Sequence, residues 1–218
     1  MTRPLRTGIH GWYPSFKRAF DVAAAGVLLV SSAPLLGLIA LLIWLDDGRP
    51  VLFRQTRAGR EGHPFTVYKF RTLHTGHHDP RRPGEAVTRT GRFLRRWGLD
   101  ELPQLWNVLR GDMSLVGPRP TLPEQVACYG PFERQRLAVR PGLTGWAQIH
   151  GRNALSWPER IRLDVWYVEH LGPGLDLRIL VRTLPALLSG HGIYGDAGEN
   201  DDFRASDMPA TAPSPPPS

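Results

Sequence analysis

The chain has 218 residues, 41% of them apolar and 22% charged, which suits one globular body and excludes a disordered acidic chain or a fibrous repeat. Its single cysteine, Cys128, excludes a disulfide framework and a cysteine-based zinc site. A net charge of +7 and a pI near 10.3 call for an anionic partner: nucleic acid, anionic lipid or a phosphorylated small molecule.

The first 16 residues read as a tail, and the next stretch overrides the average composition. Val22 to Leu45 is 24 residues without a charge, above the ~18 that mark a membrane-embedded segment. It is too long, and too far from a small-residue cleavage site, for a simple secretory signal. As a straight helix it would reach ~36 Å against a hydrocarbon core of ~30 Å, so length permits a full span. Two features argue for re-entry instead. Pro34, at the midpoint, removes a backbone donor and clashes with the carbonyl of Val30, where Ser31 and Ser32 are placed to bond the freed groups. Basic residues also flank both ends: Arg3, Arg6, Lys17 and Arg18 before it, Arg49, Arg54, Arg57 and Arg60 after it. Short basic flanks prefer the cytoplasm. The expectation is a helix-break-helix over residues 17–48 that enters, turns at Pro34 and leaves on the same face; a kinked single-pass anchor is the competing reading.

Residues 49–195 read as a body of short elements. The segments PVLFRQTRAG and HPFTVYKFRTL predict two strands joined by a turn at Gly59–Gly62. Residues 75–90 lack apolar periodicity and predict a loop; His74, His77 and His78 beside it read as solvated histidines rather than a metal site. GRFLRRWGL places Phe93, Leu94 and Trp97 among Arg92, Arg95 and Arg96, the pattern of a short amphipathic helix at a membrane surface or of an ordinary basic helix. A helix is predicted from Pro103 to Leu109, with Gly111 just past its end. Helical spacing returns over Glu159–His170 and Leu177–Leu188. From Asp196 the chain is polar and proline-rich, the composition of a disordered tail over 196–218. The fold class expected is α+β: a mostly helical, cytosol-like globular body with a small β element, anchored by the N-terminal re-entrant segment.

The chemistry concentrates in Leu99 to Pro120. Asp100 and Glu101 stand just before the helix predicted at Pro103, where an acidic pair often does no more than complement the positive helix end. Their company argues for more. Arg92, Arg95 and Arg96 precede them, and Gly117-Pro118-Arg119-Pro120 holds an arginine between two prolines. Rigid arginines at a helix start make a phosphate site. A carboxylate within such a site repels its ligand unless it attacks the phosphorus or holds a metal.

With these residues the sequence resembles the bacterial sugar transferases, the monotopic phosphoglycosyl transferases that start glycan assembly on polyprenol phosphate. The landmarks run in order from Lys17 to Ile193: Lys17-Arg18 with Asp21; Lys69-Phe70-Arg71-Thr72; Leu99-Asp100-Glu101-Leu102-Pro103-Gln104-Leu105; Asn107-Val108-Leu109 with Gly111-Asp112-Met113-Ser114; Gly117-Pro118-Arg119-Pro120; and Arg140-Pro141-Gly142 with Thr144, Gly145 and Gln148. Asp164, Tyr167 and Asp176 fall where the family has its late Asp–Tyr–Asp pattern. Departures are Ala33-Pro34 where many members have Ser-Pro, and Leu171-Gly172-Pro173-Gly174 in place of a serine-containing linker. Nothing precedes Lys17 that would make a further membrane bundle, the pattern of the minimal catalytic form.

The resemblance implies a two-step transfer. Asp100 attacks the sugar-bearing phosphate of a UDP-sugar, expelling UMP, and polyprenol (undecaprenyl) phosphate then takes the phosphosugar from the carboxylate. It implies Mg²⁺ as cofactor, touched by Asp100, with Glu101 as base or positioning group. Arg95, Arg119, Lys69, Arg71 and Gln148 become the phosphate and substrate binders, and Pro34 the membrane break. The partners implied are the UDP-sugar, the lipid phosphate and the bilayer at the cytoplasmic face of the bacterial inner membrane. No nucleic acid is expected, and a homodimer is compatible with this reading. Two other classes fit the charge alone: a membrane-tethered nucleic-acid binder, which needs aromatics interleaved along a basic groove, and a lipid-binding adaptor. Neither needs Asp100 and Glu101 beside the arginines.

Overall fold

A helix, α1, runs from Tyr13 to Asp47 in the computed structural model of the chain, which describes residues 11–75, 86–151 and 154–188. Its 35 residues would reach about 52 Å if straight. The most apolar window has a mean hydropathy of 2.4 and only 11% of it is buried, so α1 is not the core helix of a soluble fold. The helix continues without interruption through Pro34, where a break was expected. Nor do the serines bond the carbonyl that Pro34 frees at Val30. Ser31 and Ser32 donate instead to the carbonyl of Leu28, at 3.2 and 2.6 Å, one turn back along their own helix.

Both ends of α1 are tied to the same body. At the start, the Tyr13 hydroxyl and the Lys17 ammonium donate to Asp176 at 2.6 and 2.5 Å, and Asp21 accepts from Ser114 Oγ and the Leu115 amide at 2.7 and 3.1 Å. At the far end Ile39 and Ile43 bury against Phe70 and Leu94, Asp46 accepts from the Thr90 amide, and Asp47 pairs with Arg71. Between them Val27, Val30, Leu38 and Leu41 are exposed.

The hairpin forms as expected, from β1 (Leu52–Ala58) and β2 (Pro64–Phe70), antiparallel with Leu52 opposite Phe70 and Ala58 opposite Pro64. Side chains alternate across a strand, so Phe53, Gln55 and Arg57 share a face with Lys69, Val67 and Phe65. Val67 is buried in the main core, which makes this the inward face. Helix α2 (Arg89–Trp97) starts at Thr88, whose hydroxyl accepts from the Gly91 amide, and buries Leu94 while Phe93 and Trp97 stay exposed. Gly98, at φ 65°, ends it and begins a 3₁₀ turn over Leu99–Gln104, followed by α3 (Leu105–Arg110). The single helix expected from Pro103 is thus two pieces, and Pro103 lies inside the first. Asp100 and Glu101 sit within a tight turn rather than ahead of a helix.

The strands β3 (Ser114–Val116) and β4 (Gly142–Thr144) pair in parallel, and neither was legible in the sequence, because three residues carry no periodicity. Between them lie α4 (Pro123–Ala127) and a 3₁₀ turn over Glu133–Ala138; α5 (Trp146–Ile149) follows. The last helices, α6 (Trp157–Glu169) and α7 (Pro173–Leu188), begin two and four residues earlier than their spacing suggested. Glu159 closes the start of α6 by accepting from the Ser156 amide and hydroxyl at 2.9 and 2.7 Å. The main core gathers Ala25, Val67, Leu105, Val108, Met113, Val116, Tyr167, Val168 and Ile179, so α1 contributes to it directly. His74 is no free loop residue, since its Nδ1 meets Asp47 Oδ1 at 2.8 Å. His77, His78, the first ten residues and the tail from Asp196 lie outside the described residues.

Candidate active site

The motif Lys69-Phe70-Arg71-Thr72 ends β2, and its four side chains go four ways. Lys69 points along the inward face to Glu101, Nζ to Oε1 2.7 Å. Phe70 joins Ile39 and Ile43 of α1 in a separate apolar cluster. Arg71 turns to the end of α1, pairing with the Asp47 carboxylate and donating to the carbonyls of Asp47 and Gly48, both at 2.9 Å. Thr72 accepts from Arg95 Nε at 2.9 Å. The position of Lys69 is set by Asn107, fully buried on α3, which donates to the Thr66 carbonyl (2.7 Å) and accepts from the Tyr68 amide (3.2 Å) along the open edge of β2. Arg71, expected among the phosphate binders, instead clamps α1 to the body.

Arg119 reaches the same carboxylate from the other side, Nη2 to Oε1 2.7 Å and Nη1 to Oε2 3.4 Å. Its loop is stitched down on four sides. The Gly117 amide donates to Thr144 (2.9 Å), the Gly142 amide to Pro118 (2.8 Å), Arg136 Nη2 to Arg119 itself (2.9 Å), and the Ala58 amide to Thr121 (2.8 Å). Two of these contacts demand glycine: a Cβ on Gly117 would lie 2.5 Å from the Arg140 carbonyl, and one on Gly142 2.1 Å from the Gly117 amide. Arg136 is itself buried and paired with buried Asp164. The family-like late aspartate thus supports the arginine loop from behind.

Glu101 is therefore gripped by two cations in a half-buried setting. Burial works against its charge, but Arg119 and Lys69 outweigh it and hold the carboxyl well below the ordinary range. Arg119 is raised by Glu101, and Lys69 is pushed down by burial against the pull of Glu101. Asp100 differs in kind. Among the described residues its carboxylate makes no hydrogen bond or ion pair, and burial, then Glu101, push its pKa up, with Lys69, Arg95 and Arg119 opposing. The structure thus brings Asp100, Glu101, Lys69, Arg95 and Arg119 together.

One further cation, which sequence reasoning passed over as a membrane flank, belongs with them. Arg57 is pushed down to about 10 by burial and then by Arg119, while Glu101 and Glu124 draw it up. The signal available was strand parity, since residue 57 shares its face with Lys69 once the register is known. Gln148 lies elsewhere, on α5 behind the arginine loop; its buried amide has no hydrogen-bond partner among the described residues and borders Gly145, which packs on Gly117.

No group of three His, Cys, Asp or Glu side chains forms among the described residues, so the protein alone offers no metal cage. Mg²⁺ does not need one, since it takes one or two carboxylates and completes its oxygen shell with phosphates and water. The uncommitted Asp100 carboxylate fits that demand.

Residues 12–190 match the profile of the family described as bacterial sugar transferase. The chain is 47% identical over 181 residues to the "Uncharacterized sugar transferase EpsL" of Bacillus subtilis (strain 168), a match covering 81% of this chain and 89% of that protein. It is 46% identical over 191 residues to the UDP-glucose:undecaprenyl-phosphate glucose-1-phosphate transferase of Caulobacter vibrioides, covering 82% and 72%. With the UDP-N-acetylgalactosamine-undecaprenyl-phosphate N-acetylgalactosaminephosphotransferase of Aeromonas hydrophila it shares 39% over 191 residues, covering 83% of this chain and 45% of that one.

Proposed function

This chain belongs to the bacterial sugar transferase family, and we propose that it moves a sugar-1-phosphate from a UDP-sugar to polyprenol phosphate through an aspartyl-phosphosugar intermediate. It is a phosphoglycosyl transferase, and the finer reading concerns how. The observation that carries it is the contrast between two adjacent carboxylates: Glu101 is bound by Lys69 and Arg119, whereas Asp100 is uncommitted and ringed by the same cations. In the first step an Asp100 oxygen attacks the phosphorus bearing the sugar, and the bond from that phosphorus to the UMP oxygen breaks, UMP leaving with the electron pair. In the second, an oxygen of polyprenol phosphate attacks the same phosphorus and the Asp100 carboxylate is restored. Lys69, Arg95 and Arg119 hold the phosphate oxygens as charge moves across them. Asp100 would hold Mg²⁺ together with the substrate phosphates, and the ion's contribution there is neutralisation of the diphosphate charge. Glu101, kept so acidic, is a poor base at neutral pH, and its chemistry suits positioning the two cations.

A helix with one end beyond a bilayer could not pack both ends on one body, and α1 does so through Asp21 and Lys17 at one end and Ile43 and Asp47 at the other. That supports entry and exit on one face, the cytoplasmic one, where the nucleotide sugar is. A nucleic-acid groove is disfavoured because two carboxylates stand at the centre of the basic cluster.

The test omits the lipid acceptor. Enzyme, Mg²⁺ and a panel of UDP-sugars should release about one UMP per enzyme with the correct donor and add one phosphosugar to the peptide holding Asp100. Asp100→Asn should abolish both, although the amide is nearly the same size as the carboxylate, because it is a poor nucleophile. Turnover by Asp100→Asn, or a modified peptide without Asp100, would overturn the mechanism.

A further inference from the structure

We propose that the groove between the first turns of α1 and Arg140 holds the phosphate of a resident anionic phospholipid, its acyl chain following α1 outward from Val22. The proposal rests on the membrane-anchored reading of α1 but concerns a place apart from the carboxylates. The groove is shallow and open to the outside, with about 740 Å³ of space; Pro14, Ala19, Val22 and Ala23 form its apolar wall, and Arg18 and Arg140 flank it.

Both arginines are held in place by backbone carbonyls. Arg18 donates to the carbonyls of Val108 and Leu109, in the last turn of α3, at 2.6 and 2.9 Å. Arg140 donates through Nε to Gly111 at 2.9 Å, and among the described residues its two Nη groups have no hydrogen-bond partner. Neither guanidinium is paired with a carboxylate there. Burial, then Arg18 and Arg60, depress the Arg140 pKa, and the acid that opposes them, Asp21, is already bonded to Ser114 and Leu115. Two guanidiniums that line one groove, neither in an ion pair, form a receptor for a phosphate, which their forks can share.

The depth selects a lipid over a soluble anion. Trp12, Phe16 and Phe20 are exposed around these turns, the distribution of an interfacial aromatic belt, and the charge-free stretch begins at Val22 on the groove wall. A phosphate at Arg18 and Arg140 therefore has hydrocarbon on one side. The electrostatics separate this place from the acceptor's. The charges that act on Asp100 are Glu101, Lys69, Arg95 and Arg119, with neither Arg18 nor Arg140 among them.

The full-length protein in nanodiscs of phosphatidylcholine and phosphatidylglycerol in equal parts, released and weighed by native mass spectrometry, tests this. The wild type should retain one phosphatidylglycerol, preferred over phosphatidylcholine by about tenfold, because both lipids bring a phosphate but phosphatidylcholine also brings a choline cation that the two guanidiniums repel. Arg140→Gln should bring the ratio near one, and so should Ala19→Trp, which fills the groove and leaves both arginines. Arg54→Gln, on the hairpin, should keep the wild-type ratio. Equal retention of both lipids by the wild type, or an undiminished preference in the two groove variants, overturns the proposal. So does displacement of the phosphatidylglycerol by millimolar inorganic phosphate, which would make the groove a soluble-anion site, or by an equal amount of polyprenol phosphate, which would make it the acceptor site. Flotation with phosphatidylcholine vesicles separates the two readings: a chain that does not float fails the anchoring itself, and one that floats without a lipid preference fails this proposal alone.

Discussion

Arg136→Met should destabilise the protein by about 3–5 kcal/mol, because it leaves the Asp164 carboxylate buried without its partner. Both side chains are nearly inaccessible, at 3% and 2% exposure, so water cannot replace the lost guanidinium. At about 2–4 °C per kcal/mol for a chain of this size, the loss corresponds to a melting point roughly 6–20 °C lower. The pH dependence has a definite sign. Burial already lifts the Asp164 carboxyl, with Arg136 first among the charges opposing it, and removing Arg136 lifts it further. A carboxyl whose folded pKa lies above its unfolded one destabilises once pH exceeds the unfolded value, so the deficit should be smallest near pH 4 and grow toward pH 8. Arg136→Met with Asp164→Leu removes the stranded charge and should recover most of the stability. It should not recover full activity, because the Arg119 carbonyl still lacks the donor that Arg136 supplied at 2.9 Å, and the effect should fall on KM for the proposed nucleotide-sugar donor. Thermal unfolding in detergent from pH 5 to 8, with UMP-release kinetics on the same samples, checks both halves. A melting point for Arg136→Met within 2 °C of wild type would refute the buried-pair argument, where the lower limit expected is about 6 °C.

Arg119→Lys should lower kcat/KM by roughly ten- to a hundredfold without unfolding the protein, since lysine cannot make the two-pronged contact now made to Glu101, whereas Arg54→Ala should be mild; UMP release and a melting curve measure both. Asp47 is held at about 2, chiefly by His74 and then by the Thr75 amide and Arg71. Its folded pKa is depressed, so its contribution is complete above the unfolded carboxyl value and vanishes as pH falls through about 2. Asp47→Asn should therefore lower the melting point at pH 7 and flatten the loss of stability between about pH 4 and 2. Topology can be read with thiol reagents in intact spheroplasts: exposed Cys128 and a cysteine introduced at Trp12 should both label only after permeabilisation, and external labelling of the latter alone would mean a true span.

Local signals in the sequence determined a good deal of this protein. The charge-free run from Val22 to Leu45 specified an apolar helix because hydropathy sums along the chain and needs no partner. Alternating apolar residues and a glycine-bearing turn specified the hairpin, and Gly111 the end of α3, because these depend on backbone conformations a few residues apart. The ordered motifs named Asp100, Glu101, Lys69 and Arg119, and the basic run ahead of Leu99 named Arg95; Arg57 alone escaped.

What the tertiary structure alone decided is which side chains share a site. Lys69 and Arg71 stand two apart, yet one grips Glu101 and the other Asp47, because the strand ends between them at Phe70 and its alternation stops. Glu101 is pinned from 32 residues upstream and 18 downstream, distances over which no periodicity reports. The division of labour between Asp100 and Glu101 could not be read from two adjacent acids. It follows from a tight turn that carries one carboxylate between two cations and leaves its neighbour free, and proximity of that kind is a property of packed faces rather than of the order of residues.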